Sequence, residues 1–176
     1  MKTVAIAMAR MGSTRVPGKV MRDLGGKPVL RWTIDAIKAS MVDEVVLATS
    51  TLPADDVIEA YCKEHKIECF RGSEADVLDR YYQCAKQYHA DIVLRFTCDC
   101  PFLDPNVINE VVKLREMTDA SYASNCYPLV ILMALILSAS PSLRWRQRGR
   151  KLRARLIESV SLSSLFGTVT VSRWST

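Results

Sequence analysis

The chain has 176 residues, enough to close a core and of a size that one domain accounts for. Apolar residues make up 49% and charged residues 24%, a balance that excludes disordered and collagen-like chains. The net charge of +5 is segregated: residues 1–128 hold 16 Lys+Arg against 18 Asp+Glu, whereas 129–176 hold 8 basic residues and only Glu158. Six cysteines, at 62, 69, 84, 98, 100 and 126, follow no framework spacing and no signal peptide. They read as reduced thiols in a cytoplasmic protein.

In chain order, the run Val4-Ala5-Ile6-Ala7-Met8 predicts a buried strand over 3–8. It leads into Ala9-Arg10-Met11-Gly12-Ser13-Thr14-Arg15-Val16-Pro17-Gly18-Lys19, a loop with three cations, two hydroxyls and two glycines. Open α/β sheets bind ligands at the carboxyl ends of their strands. Gly12 and Gly18 let backbone N–H groups approach an anion, and Arg10, Arg15 and Lys19 can neutralise phosphate charge. The loop reads as a triphosphate cradle; the plainer alternative is a solvated basic connection. Neither G-x-x-x-x-G-K-[ST] nor G-x-G-x-x-G is present, which excludes the P-loop and the dinucleotide fingerprint.

Further strands are predicted at 44–49, 67–70 and 91–97, and helices at 28–40, 54–65, 76–88 and 105–117. That alternation is the pattern of an α/β sheet. Pro28 and Pro105 suit first helical turns, and Asp104 suits an N-cap. Asp55, Asp56, Asp76 and Asp104 fall near helix starts, where the helix dipole favours acids, and are expected to be structural.

After the fourth strand comes Arg95-Phe96-Thr97-Cys98-Asp99-Cys100-Pro101-Phe102-Leu103-Asp104-Pro105. Asp99 there either holds a divalent metal or closes a turn. A cationic and an acidic loop in register favour the metal, one loop taking phosphates and the other the ion that bridges them. Cys98-x-Cys100 is too closely spaced for the usual zinc pair and has no second pair. In Phe70-Arg71-Gly72-Ser73-Glu74-Ala75-Asp76, Ser73 is expected to cap the next helix and Arg71 to face the crevice.

On these three motifs, residues 1 to about 128 resemble the sugar-acid cytidylyltransferases of the CMP-KDO synthetase and acylneuraminate cytidylyltransferase type, in particular the spore coat polysaccharide biosynthesis protein F branch. ARMGSTRVPGKV is similar to A-R-x-x-S-x-R-L-P-G-K, with Val16 for Leu, and FRGSEADVLDRYYQCA to a second signature. RFTCDCPFLDP is similar to T-G-D-C-P-L-x-D-P, and Tyr122-Ala123-Ser124-Asn125 to a segment just beyond it. The resemblance implies a Rossmann-like, three-layer αβα nucleotide-diphospho-sugar transferase fold. It implies transfer of CMP from CTP to a sugar acid with release of pyrophosphate, for surface polysaccharide biosynthesis, and Mg²⁺ as cofactor.

The resemblance makes Arg10 and Lys19 catalytic. It makes Arg10, Gly12, Ser13, Arg15, Lys19 and Arg71 nucleotide-binding, and Asp99 the metal ligand. It implies a homodimer where the family interface is retained. Cys98 stands where the family has glycine, and its Cβ costs stability or shifts Asp99 if a positive φ is needed there.

The likeness ends at about Pro128. The family continues with R-x-Y-P-D-G-L-D-I-E, whereas this chain runs through an eleven-residue apolar stretch, 129–139. That stretch is short of the ~20 residues a membrane span needs, so no transmembrane segment is expected. Ile131 to Ser138 can be encoded ATC CTG ATG GCC TTG ATA TTG AGT. Read from the third base, those codons give P-D-G-L-D-I-E. Residues 129–176 are therefore expected to be an out-of-frame, poorly ordered tail, leaving the fold incomplete in its C-terminal half and the transferase impaired. Two other readings stand: a non-catalytic nucleotide-binding remnant, and a nucleic-acid or membrane-surface binder through Arg144, Arg146, Arg148, Arg150, Lys151, Arg153 and Arg155. No specific nucleic-acid partner is expected.

Overall fold

The computed structural model describes residues 1–118, 122–124, 135–137, 159–164 and 167–172. Strands β1 (Thr3–Met8), β2 (Glu44–Ser50), β3 (Glu68–Gly72) and β4 (Ile92–Thr97) run parallel in the order β3-β2-β1-β4. Helices α1 (Val29–Lys38), α2 (Asp56–Glu64) and α3 (Val77–Gln87) make the crossovers, and α4 (Pro105–Thr118) follows β4. Parallel strands need such crossovers, and the helices then cover both faces of the sheet. Hence β1 and β2 are apolar on both sides rather than alternating.

Side chains leave a strand on alternate faces, and the two faces build two cores. Ala5, Ala7, Leu47, Leu94 and Phe96 pack under α1, α2 and α4. Val4, Ile6, Val46, Ala48 and Val93 pack against Tyr81, Cys84 and Ala85 of α3. Helix α1 buries Leu30, Ile34 and Ile37, spaced to share one stripe. Burial of each such side chain contributes ~1.5–3 kcal/mol. This is the expected three-layer α/β architecture.

Beyond β4 the sheet turns antiparallel. Strands β5 (Tyr122–Ser124), β6 (Leu135–Leu137), β7 (Ser159–Ser164) and β8 (Gly167–Ser172) continue it in the order β4-β6-β5-β8-β7. Three of these four strands fall in the expected poorly ordered tail. The alternation of small polar residues with Val or Leu through 159–164 and 167–172 suits a strand and accounts for their place in the sheet. The basic cluster within 144–155 lies outside the described residues.

One local expectation changes, the start of the helix expected over 54–65. Helix α2 is preceded by a 3-10 turn, Pro53–Asp55, and the Asp55 side chain makes no capping bond to the helix. It points inward instead, 2% exposed, toward the ends of β1 and β2. By contrast, Asp76 caps α3 through the Asp79 N–H at 2.9 Å, as its position suggests. Among the described residues all five cysteines are free thiols, and no helix is long and apolar enough to cross a membrane.

Candidate nucleotide site

From β1 the chain steps to β2 on one side, while β4 lies on the other side of β1. Strand order therefore reverses between β1 and β4, and the crevice outside such a switch point is where open α/β sheets bind ligands. Met8 pairs with Thr97, and the Cys98 N–H donates to the Met8 carbonyl at 2.9 Å. The loops after β1 and β4 thus leave the sheet at one level.

The first loop folds on its own backbone. The Met11 carbonyl accepts from the Ser13 N–H at 2.8 Å and the Gly18 N–H at 3.1 Å. Gly18 takes φ +64°, a left-handed turn that suits glycine. Its N–H is therefore committed to the turn and not to an anion. The Ser13 hydroxyl accepts from the Val16 N–H at 3.3 Å, which leaves its proton to donate elsewhere. Gly12 faces open space, Arg15 is exposed, and the N–H groups of Gly12, Thr14 and Arg15 have no partner among the described residues.

Lys19 and Asp99, 80 residues apart in sequence, meet across the crevice in an ion pair. Desolvation pushes the Asp99 carboxyl up, but hydrogen bonds from the Lys19 ammonium and the Thr97 hydroxyl hold it below the ordinary carboxylate value. Asp99 is a carboxylate at neutral pH. Its loop is braced by the buried Thr33 of α1, whose hydroxyl donates to the Cys100 carbonyl at 3.2 Å. Cys98 does not take a positive φ. Its side chain is buried in the core, where burial pushes the thiol well up, so the missing glycine imposes no strain.

Arg10 reaches a different partner, Glu74, at 2.6 Å. The other Glu74 oxygen lies 3.4 Å from the buried Arg80, whose Nε donates to the Ser73 carbonyl at 2.8 Å. A Cβ on Gly72 would meet Arg80 Cγ at 2.8 Å, so glycine lets that guanidinium lie under the strand end. Glu74 and Arg80 were not singled out by sequence. The signal was an acid and a base inside the second motif, indistinguishable there from solvated helix-start charges.

Arg71 is held by four partners at the ends of β2 and β3 and the start of α2. Its guanidinium donates to the Ser50 and Leu52 carbonyls, each at 2.9 Å, and pairs with Asp56 at 2.7 Å and Glu59 at 2.6 Å. Hydrogen bonds with Asp56, then with Glu59, raise its pKa further. It ties β2 and β3 to α2. The structure therefore joins Lys19 to Asp99, sets Arg10 beside the second motif, and leaves Arg71 as a brace.

A parallel α/β sheet with a cationic loop and an acidic loop at its switch point belongs to the nucleotide-handling class. The sequence pattern of the cytidylyltransferases matches residues 4–135, and the chain belongs to that family. It is 36% identical over 127 residues to the spore coat polysaccharide biosynthesis protein SpsF of Bacillus subtilis, covering 68% of this chain and 53% of that protein. It is 36% identical over 122 residues to a 3-deoxy-manno-octulosonate cytidylyltransferase of Trichlorobacter lovleyi, covering 64% of this chain and 44% of that one. The chain thus spans about half the length of these relatives. A cytidylyltransferase structure from Leptospira borgpetersenii superposes with a TM-score of 0.75 at 29% identity, over 89% of this chain and 66% of that one. A CMP:2-keto-3-deoxy-manno-octonic acid synthetase structure complexed with CTP shares the fold, with a TM-score of 0.61 at 23% identity over 70% and 51% of the two chains.

Proposed function

We propose that residues 1–128 bind CTP and support transfer of its CMP unit to a sugar acid, with release of pyrophosphate. The observation that carries this reading is the Lys19–Asp99 pair at the switch point, in a chain of the cytidylyltransferase family. In that reaction a sugar hydroxyl oxygen bonds to the α-phosphorus and gives up its proton to solvent, and the bond to the bridging oxygen of the β-phosphate breaks. The Lys19 ammonium and the Arg10 guanidinium neutralise charge on the departing pyrophosphate. The Ser13 hydroxyl and the amides of Gly12, Thr14 and Arg15 hold phosphate oxygens. Arg71 supports the loop ends and takes no part in the chemistry.

Asp99 is an ionised carboxylate, and among the described residues no group of three His, Cys, Asp or Glu surrounds a common point. A single ionised carboxylate such as Asp99 is the kind of donor that Mg²⁺ takes together with substrate phosphates. Bound there, the ion would supply positive charge to the phosphates. The enzyme is proposed to act in the cytoplasm, in polysaccharide biosynthesis, as the relative from Bacillus subtilis is named for.

The composition break at 129, together with the fact that Ile131–Ser138 admits a coding that reads P-D-G-L-D-I-E in another frame, supports residues 129–176 being out-of-frame translation. This chain is then expected to bind nucleotide with little transfer. Calorimetric titration with CTP and Mg²⁺ tests the site: wild type binds, and Asp99→Ala loses ~10-fold or more in affinity, as expected for a lost charge-assisted contact. Wild type that binds no CTP overturns the reading. Resequencing the gene tests the frame, and a chain that forms CMP-sugar at ordinary enzyme rates overturns the impairment.

A further inference from the structure

The loop over 9–19 offers its amides to a ligand only if its backbone holds still. Its last ladder bond to β2 is from the Ala9 N–H to the Ala48 carbonyl, at 3.1 Å. Two residues later the Met11 N–H finds no strand partner and donates to Asp55 Oδ1 at 2.7 Å. Oδ2 of the same carboxylate accepts from the Ser50 N–H at 3.2 Å and from the Ser50 hydroxyl. One buried side chain therefore joins the end of β1 to the end of β2. The Met11 peptide is the junction, its N–H held by Asp55 and its carbonyl by Ser13 and Gly18.

Asp55 has no ion-pair partner among the described residues, and it does not cap α2. A buried carboxylate is costly unless hydrogen bonds satisfy it. Here backbone and hydroxyl donors do so, and these fix direction as well as charge. Burial pushes the carboxyl up, yet the donors from Met11 and Ser50 outweigh it and hold the group ionised.

We infer that Asp55 is a positioning residue for the phosphate loop: by holding the Met11 peptide it aims the amides of Gly12, Thr14 and Arg15 at the ligand without touching it. The inference rests on the reading of that loop as the triphosphate site. A group that only stabilises the fold would lower affinity in step with melting temperature; a positioning group lowers it in step with the freedom of the Met11 amide.

The full chain is made as Asp55→Ala, Asp55→Asn and Ser50→Ala. Three quantities are read on each: hydrogen exchange at the Met11 amide without ligand, calorimetric affinity for CTP with Mg²⁺, and melting temperature. Ser50→Ala removes a donor to the same carboxylate but keeps the Met11 bond. Asp55→Ala is expected to speed Met11 exchange and weaken CTP by ~10-fold, the scale of one lost hydrogen bond to a charged group. Asp55→Asn, which still offers a carbonyl oxygen, is expected to fall between, and Ser50→Ala, which loses one orienting donor but keeps the Met11 bond, to change both least of the three. If Asp55→Ala does not fold, the contrast of Asp55→Asn with Ser50→Ala decides. Affinity that follows melting temperature across the series, or an unchanged Asp55→Asn, overturns the inference alone. Wild type that binds no CTP overturns the loop's reading and this inference with it.

Discussion

Lys19 and Arg71 are both cations near the carboxyl ends of the parallel strands, and both pair with acids, yet the two regions differ in how many partners they hold. Lys19 meets one carboxylate across an open crevice. Arg71 meets two carbonyls and two carboxylates at the ends of β2 and β3. A cation with one partner can exchange it for a phosphate, because one contact is lost and a comparable one gained. A guanidinium with all three of its nitrogens engaged cannot leave without exposing several acceptors. Partner number, more than charge, separates the binding cation from the brace.

The largest effect that would sharpen this contrast is expected from Lys19→Ala. CTP affinity falls by ~10–100-fold, as for loss of a hydrogen bond to a charged group, while thermal melting stays close to wild type; a large melting shift with unchanged affinity would reverse the assignment. Next, Gly72→Ala drives a Cβ to within 2.8 Å of Arg80 Cγ and 2.9 Å of Phe70 Cε1. Overpacking of this kind costs ~1–3 kcal/mol, read by denaturant unfolding. Arg71→Ala is expected to melt lower than Lys19→Ala and to bind CTP as wild type does. Calorimetry on the two variants side by side breaks the comparison if Arg71→Ala loses affinity.

The smallest effect lies in pH. Asp55 and Asp99 both titrate below the ordinary 3.8 in the folded chain, because hydrogen bonds outweigh desolvation. Groups depressed in this way contribute stability that is present above pH 3.8 and lost as pH falls through the lower folded values. Melting temperature is therefore expected to hold in mildly acidic buffer and fall in the acid range. Asp55→Asn reduces that acid slope.

Strands β1 to β4 and helices α1 to α4 were legible because their apolar spacing repeats, as with Leu30, Ile34 and Ile37 on α1. Strands β5 and β6 have three residues each, too few for any period to show. Asp55 is structural, as its place near a helix start suggests, but its partner was not legible: an acid before a helix looks the same whether it caps that helix or reaches back to a strand end. Arg71 sat inside a motif and on a strand end, and nothing local marked the acceptors waiting at Ser50 and Leu52.

By itself the amino-acid order determined the elements, the cationic loop after β1 and the acid after β4, since propensity and periodicity are local properties. Only the tertiary structure decided that β4 lies beside β1 rather than beside β3, and so that Lys19 faces Asp99. Parallel pairing joins segments far apart in the chain through main-chain hydrogen bonds that any residue can make. The choice of neighbour falls to the helices that must cover both faces of the sheet.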